Sequence, residues 1–593
     1  MRPKPKDTQK SANFFDSWKR MIQYSQKYWK GFLLAIIFAA GGNILNVIGP
    51  DRLAAMTDVI SAGLKTTIDM AAIRKIGFSV LFLYGVGGLL TLIQGWIMVN
   101  ITQNITRSLR TDISDKINRL PMAYFSHTTV GDTLSRVTND VDTIGRALNM
   151  SVQNLISSGT MMIGTLVMMF ITNIWLTLTA IGATLIGLLA IGIITRFSQK
   201  YFVEQQNDLG AINGQIEETF AGHTIVKVYN GEEMVRKEFT EMNKQLRESG
   251  FKSQALSSLM SPIMTFIGNF GYVAVAVMGA LLTMNGNISF GVVVAFIIYV
   301  RLFTQPLSQI AQGIQSLQSA AAAGERVFSM LDEEEMEDES AKTKEIRDAK
   351  GYVEFSNVQF SYGEDEPPVI KDFSAVAKPG QKIAIVGHTG AGKTTIVNLL
   401  MRFYEINKGD IFIDGISTQE ITRENLHDQF CMVLQDTWFF EGTVRENLIY
   451  NTQNVPDEKM IEASKAVGFD FFVRTLAKGY DTVLDEKISL SQGQKQQLTI
   501  ARAIIADKPM LILDEATSSV DTRTELKIQK AMDALMEGRT SFVIAHRLST
   551  IKNADTILVM DNGDIIEKGS HEELMAKNGF YTDLYNSQFE HAS

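Results

Sequence analysis

Four stretches of the first half of this chain carry no Asp, Glu, Lys or Arg: residues 31–50, 76–106, 147–195 and 253–300. An α-helix needs about 20 apolar residues to cross a bilayer. The last two stretches are each about twice that length and fold as hairpins of two. The pattern predicts six spans near residues 31–50, 76–100, 151–172, 174–195, 258–283 and 288–312, and nothing after the sixth that could cross. Ahead of the first, residues 13–30 interleave Phe14, Phe15, Trp18, Tyr24, Tyr28 and Trp29 with Lys and Arg. That mixture suits a helix lying in the membrane interface. The basic start (Lys4, Lys6, Lys10) has no apolar core close behind it, so the first span reads as an uncleaved anchor.

Lys and Arg crowd residues 1–30, 107–146 and 196–252, whereas the turns near Asn173 and at Asn285-Gly286-Asn287 carry none. The positive-inside bias therefore places both termini in the cytoplasm. The loop at 51–75 is mixed and does not discriminate. The charged stretches 104–146 and 200–250 keep helical periodicity, as if the spans continued into the cytoplasm in pairs. Their turns fall at 121–132, beginning Pro121-Met122-Ala123-Tyr124-Phe125, and at Tyr229-Asn230-Gly231-Glu232-Glu233. Within the spans, Gln94, Asn100, Asn269 and Gln305 either line a cavity or bond helix to helix. The many Met and Phe residues suit lipid contact or an adaptable apolar pocket. No chain of intramembrane carboxylates or histidines supports a proton-coupled carrier.

From Tyr352 the pattern changes. Residues 353–362 alternate like a half-buried strand, and 383–386 (Ile-Ala-Ile-Val) read as a buried parallel strand. That strand breaks into Gly387-His388-Thr389-Gly390-Ala391-Gly392-Lys393-Thr394-Thr395, after which Ile396, Leu399 and Leu400 mark a helix. The spacing is that of a P-loop. Its glycines let backbone N–H groups turn toward phosphates at a helix N-terminus. Lys393 then reaches the β/γ-phosphates and the Thr394 hydroxyl suits Mg²⁺. A second apolar run, 509–513, ends in Asp514 and Glu515. At the carboxyl edge of a parallel sheet, Asp514 would hold Mg²⁺ and Glu515 would polarise the attacking water.

The net charge of −9 gives no case for a nucleic-acid partner, and the single Cys431 excludes an intrachain disulfide or a cysteine-based metal site. The acidic run 332–339 reads as a solvated linker. The expected division is therefore an N-terminal segment at 1–30, a transmembrane domain at 31–330, a linker at 331–350 and a nucleotide-binding domain at 351–593.

Leu490-Ser491-Gln492-Gly493-Gln494, followed by Ala501-Arg502-Ala503, resembles the signature of ATP-binding cassette (ABC) proteins. Tyr362 matches the family's adenine-stacking aromatic, Gln435 its Q-loop, Ser518-Ser519-Val520-Asp521 its D-loop and His546 its switch histidine. The whole chain resembles an exporter half-transporter of the multidrug kind. The resemblance implies a six-helix transmembrane domain followed by an α/β P-loop cassette, with ATP and Mg²⁺ as cofactors. It places Thr394, Gln435 and Asp514 at the metal, Glu515, His546 and Gln435 in hydrolysis, and Asp521 among the nucleotide-binding residues. Ser491, Gly493 and Gln494 would serve the nucleotide held by a second chain. The family's Glu-x-Gly element is missing from residues 484–489, and Gln492 stands where glycine is common, which favours a heterodimer over a homodimer. Function is then ATP-driven export of hydrophobic or amphipathic small molecules across the cytoplasmic membrane. Lipid or peptide export, or an ATP-gated channel or regulatory subunit, are the alternatives.

Overall fold

The computed structural model describes residues 14–64, 67–363, 366–435, 437–485, 488, 490–514, 522–544 and 551–589. The chain forms two compact units. One comprises residues 1–118 and 130–333, and the other comprises 119–129 and 334–593.

In the first unit, six helices among the described residues are long and apolar enough to cross a membrane. Met70–Arg119 has 50 residues and Ile174–Ala221 has 48. At 1.5 Å per residue each is about 70–75 Å long, against a hydrocarbon core of about 30 Å, so the spans do continue far beyond the apolar layer. The interfacial helix is Phe14–Ser25, and its Trp18 Nε1 donates to Leu317 O at 3.2 Å. The first span does not end at Pro50. Helix Trp29–Gly63 runs straight through it, because the one backbone bond that proline removes is outweighed by burial of Val47 and Ala54 in the bundle core. That core also holds Met169, Leu176, Val275, Phe296 and Tyr299, the last two edge-to-face at 5.9 Å. Asn173 caps the fourth span by accepting from Leu176 N. Asp58 reaches across from the first span to cap the sixth, accepting from Ser289 Oγ at 2.7 Å and Gly291 N at 2.8 Å. The second charged turn is a short helix, His223–Val228, and a tight turn before helix Glu232–Ser258.

In the second unit, a six-stranded sheet runs in the order Asp564–Gly569, Thr556–Asp561, Lys382–Gly387, Thr540–Ile544, Met510–Asp514, Phe430–Val433. All its pairings are parallel except that of the first two strands. A four-stranded antiparallel sheet includes Val353–Phe360 between Ile370–Ala377 and Lys408–Ile413. The alternation expected in Val353–Phe360 switches phase midway. Val353 and Phe355 are buried, then Val358 and Phe360, because the register slips around Asn357, whose φ is +47°. The stretch after the acidic run is docked rather than solvated. Ile346 is buried, its N–H donating to Asn425 Oδ1 at 2.8 Å, and Glu339 pairs with both Arg402 and Arg423. The short helix Met122–His127, at the first charged turn, belongs to this unit.

Candidate functional site

Parallel register decides what gathers at one edge of the six-stranded sheet. Ile544 pairs with Asp514 on one side and Ile385 on the other, Val433 pairs with Leu513, and Gly387 pairs with Met560. The carboxyl edge therefore presents the loop after Gly387, the Asp514 carboxylate and the segment leading to Gln435 side by side. Gln435 is exposed two residues beyond its strand. This is where open α/β sheets hold ligands.

The loop itself is shaped by two close approaches. A Cβ on Gly387 would lie 2.3 Å from Met560 O, and Gly392 holds φ +97° with Ile370 Cδ1 2.8 Å from where its Cβ would be. No side chain fits either place. Gly392 then opens helix Lys393–Leu400, which buries Ile396, Leu399 and Leu400 as its spacing predicts. His388, Thr389 and Gly390 are exposed, His388 lying edge-on to Phe580 at 5.3 Å, while Ala391 is buried. Lys393 Nζ donates to Gly387 O at 2.8 Å and His388 O at 3.0 Å, so the ammonium sits inside the curl of its own loop. Burial pushes its pKa below the ordinary lysine value, and the nearby Asp514 charge pulls it back up. Thr394 is exposed on the first helical turn. Tyr362 stands over the loop with its hydroxyl 3.0 Å from Thr395 Oγ1, its ring edge-to-face with Phe360 and Tyr404. The arrangement can hold a polyphosphate: a glycine-shaped loop opening a helix N-terminus, one ammonium, one hydroxyl and one carboxylate.

Ser491 has a structural use beside any contact with nucleotide. It caps helix Gln492–Ala506, accepting from Gln494 N at 3.3 Å, while Gln494 Oε1 accepts from Ser491 N at 2.8 Å. Gly493 is buried beneath this box. Glu515, Asp521 and His546 lie outside the described residues, as do Glu486, Lys487 and Ser489 of the altered stretch before the signature.

Sequence reasoning read Arg502 only as part of the signature and gave it no contact of its own. It donates through Nε to Asn447 O at 2.9 Å and stacks over Tyr450 at 4.9 Å, tying the signature helix to the segment after Gln435. The four polar residues singled out in the spans divide. Gln94 is fully buried and bonds Ser157, which is packing. Asn100 and Asn269 are exposed. Gln305 lines a cavity of about 150 Å³ with Asn43, Ser158 and Gln309. Asn43 and Gln309 were not singled out, although Asn46 follows the first by three residues and Gln305 and Gln312 flank the second at helical spacing. Arg301 went unnoticed because it sits one place beyond a charge-free run.

Residues 32–307 match the ABC transporter transmembrane region, and residues 370–518 match the ABC transporter family. The chain is 46% identical over 518 residues to a fatty acid ABC transporter ATP-binding/permease protein of Mycobacterium bovis, covering 87% of this chain and 82% of that one. It is 36% identical to a probable multidrug resistance ABC transporter ATP-binding/permease protein of Bacillus subtilis, covering 86% and 75%. It is 32% identical to an ATP-dependent lipid A-core flippase of Syntrophus aciditrophicus, covering 97% and 95%.

Proposed function

The chain belongs to the ABC transporter family as a membrane-embedded half-transporter that couples ATP hydrolysis to export, and from that premise we propose that its cargo is a hydrophobic or amphipathic small molecule. One observation carries the cargo class. A groove of about 520 Å³ separates the interfacial helix from the first and third spans, and Met21, Trp29, Phe32, Leu148 and Val152 line it. Its rim residues Ile22, Trp29 and Leu33 are exposed, as suits a helix whose apolar face turns to the membrane interface. Hydrocarbon can enter from the membrane without crossing water.

Two chains complete two composite sites. Each P-loop holds an ATP, and Ser491 and Gly493 of the opposite chain close over it. ATP favours the closed dimer because it binds that state better, as any ligand-driven switch requires. The turns at 121–132 and 229–233 pass the closure to the spans, and the cavity changes the side it faces. Glu515 polarises water, His546 and Gln435 sense the γ-phosphate, and Asp521 contributes to nucleotide binding. Thr394 and Asp514, with Gln435, would hold Mg²⁺, which neutralises charge developing on the phosphates. One carboxylate and one hydroxyl fit that ion, which prefers phosphate oxygens and water to an all-protein cage. The missing Glu-x-Gly element and Gln492 favour a heterodimer in which this chain's signature serves the weaker site. Both termini and the cassette lie on the cytoplasmic face of the cytoplasmic membrane.

Reconstituting the complex in proteoliposomes tests the reading. ATP-dependent efflux of a hydrophobic dye without ion conductance is the expected result. Conductance gated by ATP, without dye movement, would replace the exporter by a channel.

A further inference from the structure

Arg301 is the single Asp, Glu, Lys or Arg between residues 253 and 324. It lies in helix Phe290–Leu331, about 16 Å along the axis from Phe290. That depth is about half of a 30 Å hydrocarbon core. Its side chain is exposed, and among the described residues its guanidinium has no ion pair and no hydrogen bond. A charge at this depth is costly against lipid, and intramembrane charges almost always face the bundle interior, a water-filled cavity or another molecule.

Its surroundings on the helix are polar in the same direction. Gln305, Gln309 and Gln312 fall with Arg301 inside an arc of about 80°, and all four are exposed. Gln305 and Gln309, one and two turns on, line the 150 Å³ cavity with Asn43. Asn43 spends its amide protons on Ser157 O (2.8 Å) and Thr160 Oγ1 (2.5 Å). Gln309 instead accepts, through Oε1 from Ser158 Oγ at 2.7 Å, which leaves its own amide protons without a partner among the described residues. Gln305 has no partner there at all. The stripe therefore offers one cation and two carboxamide donors with nothing to donate to.

We propose that this stripe is the headgroup site for the cargo, and that the headgroup is an anion with acceptor oxygens, a carboxylate or phosphate, on a hydrocarbon chain. The proposal rests on the reading of the chain as an exporter of amphipathic molecules and narrows it. Arg301 supplies the charge, Gln305 and Gln309 donate to the remaining oxygens, and the chain occupies apolar surface of the spans. The fork geometry of a guanidinium suits such an anion.

The test uses the reconstituted dimer in phosphatidylcholine nanodiscs and three probes sharing one chain: hexadecyl phosphate, hexadecanol and hexadecyltrimethylammonium. Binding is measured by calorimetry and ATPase stimulation in parallel. Hexadecyl phosphate is expected to bind best. Arg301→Gln should weaken it roughly tenfold to a hundredfold, as loss of a charged hydrogen bond does, and leave the other two unchanged. Arg301→Lys should restore most of the preference, and Gln305→Leu should weaken hexadecyl phosphate several-fold without abolishing its lead. Replacing phosphatidylcholine by phosphatidylglycerol separates the sources, since competition by the disc lipid would make a bilayer phospholipid the occupant rather than a free single-chain amphiphile. Equal binding of the three probes, an intact preference in Arg301→Gln, or an equal loss for all three would overturn the proposal while leaving the exporter reading in place. If none of the probes binds or stimulates hydrolysis, the amphiphile reading itself fails.

Discussion

Ser491 carries two duties that mutation can separate. Its hydroxyl closes a capping box on helix Gln492–Ala506, and the same residue is proposed to meet the partner's triphosphate. Ser491→Ala removes the cap, which costs about 1 kcal/mol. In a domain of 150–250 residues that lowers the melting temperature by about 2–4 °C. Ser491→Asp keeps the cap, because a carboxylate accepts from Gln494 N as well and sits favourably at a helix N-terminus. It also sets a negative charge against phosphate. At a separation near 4 Å and an effective dielectric of about 20, one charge pair costs about 4 kcal/mol, or roughly a thousandfold in occupancy or rate. The expected pattern is therefore crossed: the Ala variant melts earlier, and the Asp variant melts like the wild type but holds far less nucleotide at the weaker site, which this chain's signature completes. Thermal unfolding and binding of a fluorescent nucleotide analogue to the purified dimer, counted per site, read both. Two sites filled with wild-type affinity in Ser491→Asp would refute the proposed contact, and unchanged melting of Ser491→Ala would refute the cap.

Glu515→Gln should cut ATP turnover below about a tenth of wild type while nucleotide binding survives, since general-base catalysis is worth roughly 10²–10⁴-fold; retention above that level means the partner's site hydrolyses. Gly387→Ala forces a Cβ to 2.3 Å from Met560 O, so ATP binding to the variant, followed by a fluorescent analogue, should be lost. Glu339 is held below the usual carboxylate range: burial alone would raise it, but the Arg423 backbone N–H, Lys342, and the charges of Arg402 and Arg423 outweigh that. A depressed carboxyl stabilises only above its unfolded pKa, so the wild type should exceed Glu339→Gln by about 1–3 kcal/mol at pH 7. The gap should close as pH falls below about 4. Denaturant melts at pH 7 and pH 3.5 would show it, and a gap that widens in acid would contradict the assignment.

Much of the architecture was legible because membrane and water impose opposite rules on charge. The charge-free runs located all six spanning helices, and the strand–loop–helix around Lys393 was readable because glycine and lysine spacing carries its own mechanism. Boundaries were less legible where tertiary packing overruled a local signal. Pro50 marks a break by itself, yet the bundle carries the helix through it to Gly63. Asn357 carries no visible sign that the strand will slip phase there. Arg502 was read only as part of a motif, since its partners Asn447 and Tyr450 are some 50 residues away along the chain.

The rule that located the spans also concealed the residue that narrows the cargo. A window that must be free of charge ends at Val300, and the next residue is Arg301, inside helix Phe290–Leu331. On insertion scales an arginine at a helix centre costs about 2.5–3.5 kcal/mol. Leu, Ile, Phe or Val in its place would favour insertion by about 0.3–0.6 kcal/mol each, so the helix carries a penalty that no contact within the described chain offsets. Gln305, Gln309 and Gln312 add to that penalty on the same face. A row of groups with an unpaired charge or unused donors on one face of a spanning helix is expected where a transported molecule, rather than lipid, is the neighbour. The sign of the charge then says more about that molecule than the apolar surface around it, since hydrocarbon walls accept any chain and a guanidinium selects for anions.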